Sequence, residues 1–245
     1  MSTNEPPQLG NTSTDIIANI AKGATGAVPI VGSLIAEVVG NIIPNQRVDR
    51  IVQFVQQLEK RLGSLEQEVL RNKLLQPEAV DLLEDAFSQA ARATSQERIG
   101  HIANVVANGL SEEELKQTEA KRMLWLLGQL NDSEVIILRS ELAHTYEEVD
   151  ADADFRSKHA ELLAPDVLYT GLPQEEFEKA ALKQSYQQRL HELGLLRYRF
   201  RRPQRGALPE FDENTGMMKA TGSQVTTLGE MLLRYLNLIP DWHSN

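Results

Sequence analysis

The chain contains no cysteine, which removes disulfide frameworks, thiolate zinc sites and cysteine nucleophiles from the chemistry open to it. Aromatic residues make up only 5% of it, while Ala, Leu, Glu, Gln and Arg are plentiful, a balance that favours helix over sheet. Basic charge is scarce as well: 25 Lys and Arg stand against 35 Asp and Glu, a formal net charge of -10. A general nucleic-acid coat or a binder of anionic membranes needs a positive field, so this balance disfavours both. The histidines His101, His144, His159, His191 and His243 show neither i, i+4 pairing nor an HExxH motif, and GATGAVPIVG, the nearest approach to a phosphate loop, lacks the Lys-Ser/Thr pair such a loop requires. The expectation is a non-enzymatic protein with no cofactor and no metal. MSTNEPPQLGNTSTD lacks a basic stretch followed by an apolar core, so no secretory signal is read and a bacterial cytoplasmic protein is expected.

Long apolar runs are also absent. The longest, VPIVGSLIAEVVGNII at 28–43, contains Pro29 and carries Glu37 near its middle. A membrane span needs roughly 20 mostly apolar residues and tolerates a central carboxylate poorly, which argues against a static transmembrane helix. As one helix, Val31, Ile35 and Val39 form a column and Leu34 and Val38 join Ile42 in a second. Gly32, Ala36 and Gly40 make a small-residue ridge on the other side, beside the polar column of Ser33, Glu37 and Asn41. Both faces want partners. The bland reading is a buried helix of a soluble bundle; the functional one is a segment stored against its bundle and released to a membrane or to another copy.

Residues 1–13 read as a loose polar tail, and Asp15–Lys22 as a short helix. From Arg47 the pattern becomes heptads, with Val48, Val55, Leu62 and Val69 at one position and Ile51, Leu58 and Leu65 at the other. Val52 and Phe54 widen that stripe, which favours packing inside the chain over a two-stranded seam. Further helices are predicted over 78–93, opened by Pro77, over 96–108, capped by Ser95 and closed by Gly109, and from a Ser111/Glu114 capping box to about Leu130. Leu82, Leu83, Ala86, Phe87 and Ala90 form the expected inner face of the first of these.

After Asn131 the pattern of elements changes. Helices are expected from Asp132 or Ser133 to His144, over 155–163 and over 174–193, with EEVDADADF as an acidic loop between the first two. Asp150, Asp152, Asp154 and Glu161 have EF-hand spacing, but Phe155 sits where the calcium loop needs Gly, so a solvated loop is the better reading. Gly194 ends the third helix. LLRYRFRR at 195–202 reads as an alternating strand, followed by a turn-rich wing, a second strand near 223–226, and a last helix started by a Thr227/Glu230 capping box. Helix, helix, helix, strand, wing, strand, helix is the order of a winged helix-turn-helix.

That wing holds the chain's basic cluster, Arg197, Arg199, Arg201, Arg202 and Arg205. On a strand, Arg197, Arg199 and Arg201 share one face and Tyr198 and Phe200 point to the other, expected to be the core. In a DNA-binding winged helix such arginines contact phosphates. However, the candidate recognition helix begins PQEEFEKA, setting Glu175, Glu176 and Glu178 where base edges and phosphates would lie, so a solvated basic strand or a protein-interaction wing is expected ahead of DNA readout.

The apolar PIVG segment, the heptad helix, the stretch PEAVDLLEDAFSQAARATSQERIGHIANVVANGL, then MLWLLGQLNDSEVIILRSEL and the terminal VTTLGEMLLRYL resemble bacterial abortive-infection alpha-type proteins. The likeness runs from about Gly26 onward and rests on layout and short phrases. It implies a role in phage defence or prophage-encoded exclusion and supplies no catalytic residues. The expected architecture is mainly α: a tail over 1–13, a multi-helix bundle over 14–131 with its apolar segment at 24–43 and its long heptad helix, and a winged-helix-like domain over 132–245. The expected function is a non-enzymatic defence protein whose segment engages a membrane or self-associates on triggering. The alternatives are a DNA-binding regulator using the wing arginines and a heptad-mediated oligomeric adaptor. A protein trigger, a further copy of the chain or the inner membrane are the expected partners, with nucleic acid ranked behind them.

Overall fold

The computed structural model describes residues 47–63, 72–73, 76–111, 114–142, 149–165, 169, 173–201, 203, 208–212 and 216–239. The tail, the helix expected over 15–22, the segment at 24–43 with Val31 to Gly40, the heptad residues Leu65 and Val69, and Arg202 and Arg205 lie outside them. The described chain is mainly helical, with a small two-stranded antiparallel sheet near its C-terminus. It divides into two compact units, one running to Gly128 and taking in Tyr235–Asn237, the other formed by Gln129–Arg234 and the chain from Leu238.

In the first unit, α1 (Val48–Leu62) carries Asp49 in its first turn and Lys60 and Arg61 in its last, each placed to complement the helix dipole. Ile51, Phe54, Val55, Leu58 and Leu62 are buried, so the described part of the heptad seam is covered by the chain's own helices. Pro77 starts α2 (Pro77–Arg92) at a position whose N–H would have had no helical partner. Its inner face is the expected one, Leu82, Leu83, Ala86, Phe87 and Ala90, and Phe87 meets Phe54 edge to face with centroids 5.3 Å apart. Ser95 caps α3 (Gln96–Ser111) by accepting the Arg98 amide at 3.0 Å. Residues Ile102 through Ala107 of α3 are buried in succession, the mark of a helix enclosed on all sides.

Gly109 does not close this helix. It lies within α3, and a Cβ placed on it would sit 2.4 Å from the Cβ of Ala120 and 3.1 Å from Leu82 Cδ2. The glycine is there so that α3 and α4 (Glu114–Gln129) can approach. Arg98 donates to the Leu127 carbonyl, one of the last four of α4, and Gln89 Nε2 donates to Leu124 O at 2.9 Å. Trp125 on this helix is 46% exposed, with the Arg122 guanidinium 4.3 Å from its ring centroid. The returning segment Tyr235–Asn237 is tied in by Asn104, which donates to Leu236 O at 2.7 Å, and by Asn108, which donates to Tyr235 O at 3.1 Å.

The second unit starts with α5 (Asp132–Ser140), whose capping box is reciprocal: Asn131 Oδ1 accepts the Glu134 amide at 2.8 Å and Glu134 Oε2 accepts the Asn131 amide at 2.7 Å. The acidic stretch expected as a loop is α6 (Val149–Lys158). Asp152 pairs with Arg156 at 2.7 Å one turn on, and the Arg139 guanidinium lies 4.0 Å from the Phe155 centroid. This local pairing and anchoring outweighs the turn preference of aspartate. A short α7 (Ala160–Leu163) follows, then α8 (Gln174–Glu192), packed against α5 and against the start of β1 (Leu196–Phe200). β2 (Ala220–Val225) pairs with β1, and α9 (Thr227–Tyr235) closes the unit. Val135, Leu138, Leu190, Leu195, Leu196, Val225, Leu232 and Leu233 are buried here.

Candidate functional site

Two glycines and a threonine set the ribbon on the end of α8. Gly194 adopts φ +72, which a side chain would resist, and the Leu195 amide reaches back to Leu190 O at 3.0 Å, ending the helix. Thr226 Oγ1 donates to Gly194 O at 2.7 Å and accepts the Gly229 amide at 3.1 Å. The cap of α9 is thus Thr226, one residue before the expected Thr227, because Thr227 is already helical and Thr226 still belongs to the strand's end. Gly229 permits the close approach that follows: a Cβ there would lie 2.5 Å from Leu195 O.

From this base the ribbon runs Leu196↔Val225, Arg197↔Gln224, Tyr198↔Ser223 and Arg199↔Gly222, with a register shift before Phe200↔Ala220. Arg197 and Arg199 share one face with Gln224 and Gly222, and Arg201 continues the alternation just past the strand. All three arginines are exposed, and among the described residues none is within ion-pair distance of a carboxylate. Arg197 donates to Gln224 Oε1 at 3.3 Å. Gly222 has φ +154, and a Cβ on it would lie 3.3 Å from Arg199 Nη2, so its bareness leaves the guanidinium room to lie across the strand.

The opposite face corrects an expectation. Leu196 and Val225 are buried, but Tyr198 and Phe200 are 55% and 45% exposed and do not enter the core. A two-stranded ribbon has core beneath it only at its root, so alternation continues while burial stops. Tyr198 instead stacks on His191 with centroids 3.9 Å apart and planes 11° from parallel, and His191 Nε2 lies 3.0 Å from Ser223 Oγ. Burial holds this imidazole below its ordinary pKa, with the Leu196 backbone and the Glu141 charge opposing the shift. Beyond it, Leu208, Phe211, Met217 and Met218 are exposed as well, Phe211 bridging Met218 in a short outer hairpin. Their one legible signal was the aromatic and methionine content of an otherwise turn-rich stretch.

The first turns of α8 carry the opposite charge. Glu175, Glu176 and Glu178 are exposed, and Lys179 is already engaged by Glu175 at 3.2 Å and Glu176 at 3.1 Å. A groove of about 790 Å³ lies nearby, with Ile136, Leu162, Leu182 and Tyr186 in its lining and both Lys158 and Glu161 beside them. Its mixed charges single out no ligand. Among the described residues no helix is long and apolar enough to cross a membrane. Comparison with known proteins finds no matching family model, no matching curated protein and no matching solved structure.

Proposed function

We propose that the C-terminal unit is a winged helix-turn-helix-like module that docks a protein partner through its ribbon, within a non-enzymatic cytoplasmic defence protein of the abortive-infection kind. The order α5, α6 with α7, α8, β1, wing, β2, α9 supports the winged-helix reading. One observation carries the docking role: on both faces of the ribbon, Arg197 and Arg199 on one side and Tyr198 and Phe200 on the other, the side chains are exposed beyond its root. In this reading the first unit is a helical bundle built around α3, and the apolar segment at 24–43 is the effector, engaging a membrane or a second copy when the wing senses its trigger. Support for that last part is the two-faced pattern of the segment's sequence, with the small residues Gly32, Ala36 and Gly40 opposite an aliphatic face.

A phage challenge tests the whole: bacteria expressing the chain should form fewer plaques, and both Arg199→Glu and the pair Gly32→Leu with Ala36→Leu should remove the protection. Absence of protection against a broad phage panel would end the defence reading. Liposome flotation and dye release test the effector part, which no membrane contact under any condition would eliminate.

The arginine face also favours a second reading, a DNA-binding regulator. Against it stand Glu175, Glu176 and Glu178 on the helix that would enter the groove, where they would repel phosphates. A gel shift at low salt, lost in Arg199→Glu, would support DNA binding over protein docking. A heptad-mediated adaptor is weaker, because Ile51, Val55, Leu58 and Leu62 are already buried within the single chain.

A further inference from the structure

We propose that the outer edge of β1 accepts an extended protein segment as an added strand, one in which acidic and apolar side chains alternate. This rests on the ribbon being the docking surface of the C-terminal unit and names the partner's chemistry. The Thr226 amide donates to Leu195 O at 3.0 Å, and Leu196 faces Val225. Bonded pairs in an antiparallel ladder alternate, so Arg197 with Gln224 and Arg199 with Gly222 exchange hydrogen bonds. The amide and carbonyl of Tyr198 therefore turn away from β2, and because the register shift puts its extra residue, Thr221, on β2, β1 keeps its alternation and those of Phe200 follow. Among the described residues the sheet has only the order β1-β2, so no described strand pairs with these groups and they present an edge. Such an edge is a template for another strand.

The side chains select which strand fits. Arg197, Arg199 and Arg201 recur at every second residue, about 7 Å apart along the chain, the same repeat that alternate residues of an added strand present. Carboxylates on one face of that strand would meet the guanidiniums, while apolar side chains on its other face would cover Tyr198 and Phe200. A second copy of β1 would set arginine against arginine, which is unfavourable across a strand pair. A nucleic acid spanning wing and helix would meet the three glutamates at the start of α8. An acidic, alternating protein segment meets neither obstacle.

The probe is a fluorescein-labelled, end-capped octapeptide of alternating Glu and Val, titrated into the full chain at low salt and read by anisotropy. Three comparison peptides share its length: the same composition in two blocks, the alternating sequence N-methylated on the amides of one edge, and alternating Lys and Val. The alternating acidic peptide should bind saturably, and the block, N-methylated and Lys forms should each bind at least about tenfold more weakly. Arg199→Glu should weaken binding comparably, and added salt should reduce it. Because the peptide arms use the unaltered protein, the test does not depend on a variant folding. Equal binding of the block or N-methylated peptide, or no saturable binding, would overturn strand addition. Tighter binding of a single-stranded oligonucleotide that also needs Arg199 would assign the edge to nucleic acid instead, and a dimer dissociated by Tyr198→Asp would assign it to a second copy; either refutes the proposal. If the peptide fails while plaque protection still requires Arg199, strand addition falls and the docking reading stands.

Discussion

Replacing Gly109 with alanine should destabilise the first unit, although alanine is the better helix former. An interior helical glycine costs roughly 0.5–1 kcal/mol relative to alanine, so in open space the change would help. Here the new Cβ would lie 2.4 Å from the Cβ of Ala120 and 3.1 Å from Leu82 Cδ2. Carbon atoms pack comfortably at about 3.5–4.0 Å, so the atoms must separate by more than about 1 Å. Ala120 has no rotamer to swing aside, and the α3 and α4 backbones must part. Overpacking of that kind costs about 1–3 kcal/mol, which outweighs the helix gain and leaves a net loss of up to about 2.5 kcal/mol. Urea unfolding followed by far-ultraviolet circular dichroism should show a lower midpoint with an unchanged slope. Gly100→Ala is the matched control, since its Cβ would meet only the side-chain ends Gln57 Oε1 at 3.2 Å and Arg61 Nη2 at 3.7 Å. It should be neutral or gain up to about 0.5–1 kcal/mol. Adding Ala120→Gly to Gly109→Ala should recover part of the loss beyond additivity. A Gly109→Ala chain as stable as the parent, or a reversed order of the two single variants, would refute the contact argument.

Asn104→Leu should cost about 1–3 kcal/mol, because it leaves the Leu236 carbonyl and the Arg61 side chain without the partner that Asn104 supplies to both, and the same urea titration measures it. Asn131→Ala removes the acceptor of the Glu134 amide and should lower stability by about 1 kcal/mol, visible as a shifted denaturation midpoint. His191 should titrate below an ordinary histidine when followed by NMR, because burial disfavours its charged form. Its folded-state pKa is depressed, so the stability held by the neutral ring is present above the unfolded-state pKa. It is lost as pH falls through the folded-state value, once the unfolded chain has taken up the proton first. That acid-side loss should shrink in His191→Gln.

The parts of the fold that depend on local period were legible. Ile51, Val55, Leu58 and Leu62 stand on one face whatever lies opposite, and the helical repeat alone places them together. The inner face of α2 follows for the same reason. Gly109 shows what period cannot reveal: a glycine that ends a helix and one that admits a neighbour look alike until Ala120, on another helix, is brought beside it. The DADADF run favoured a loop by composition, and the Asp152 pairing with Arg156 and the seat of Phe155 against Arg139 support the helix instead. The cap of α9 was misplaced by one residue because Thr226 and Thr227 are chemically equivalent and the strand's end decides between them. At the ribbon, alternation correctly placed arginines and aromatics on opposite faces. Whether the aromatic face is covered depends on a further layer, which a strand's sequence does not encode.

Amide hydrogen exchange of the full chain, with and without the alternating Glu–Val octapeptide, tests the ribbon edge most directly. The Arg197 and Arg199 amides, bonded into the ladder, should be protected in both cases, whereas those of Tyr198 and Phe200 should exchange freely alone and slow when the peptide is present. Tyr198 and Phe200 amides already protected in the free chain, or unchanged by saturating peptide, would contradict it.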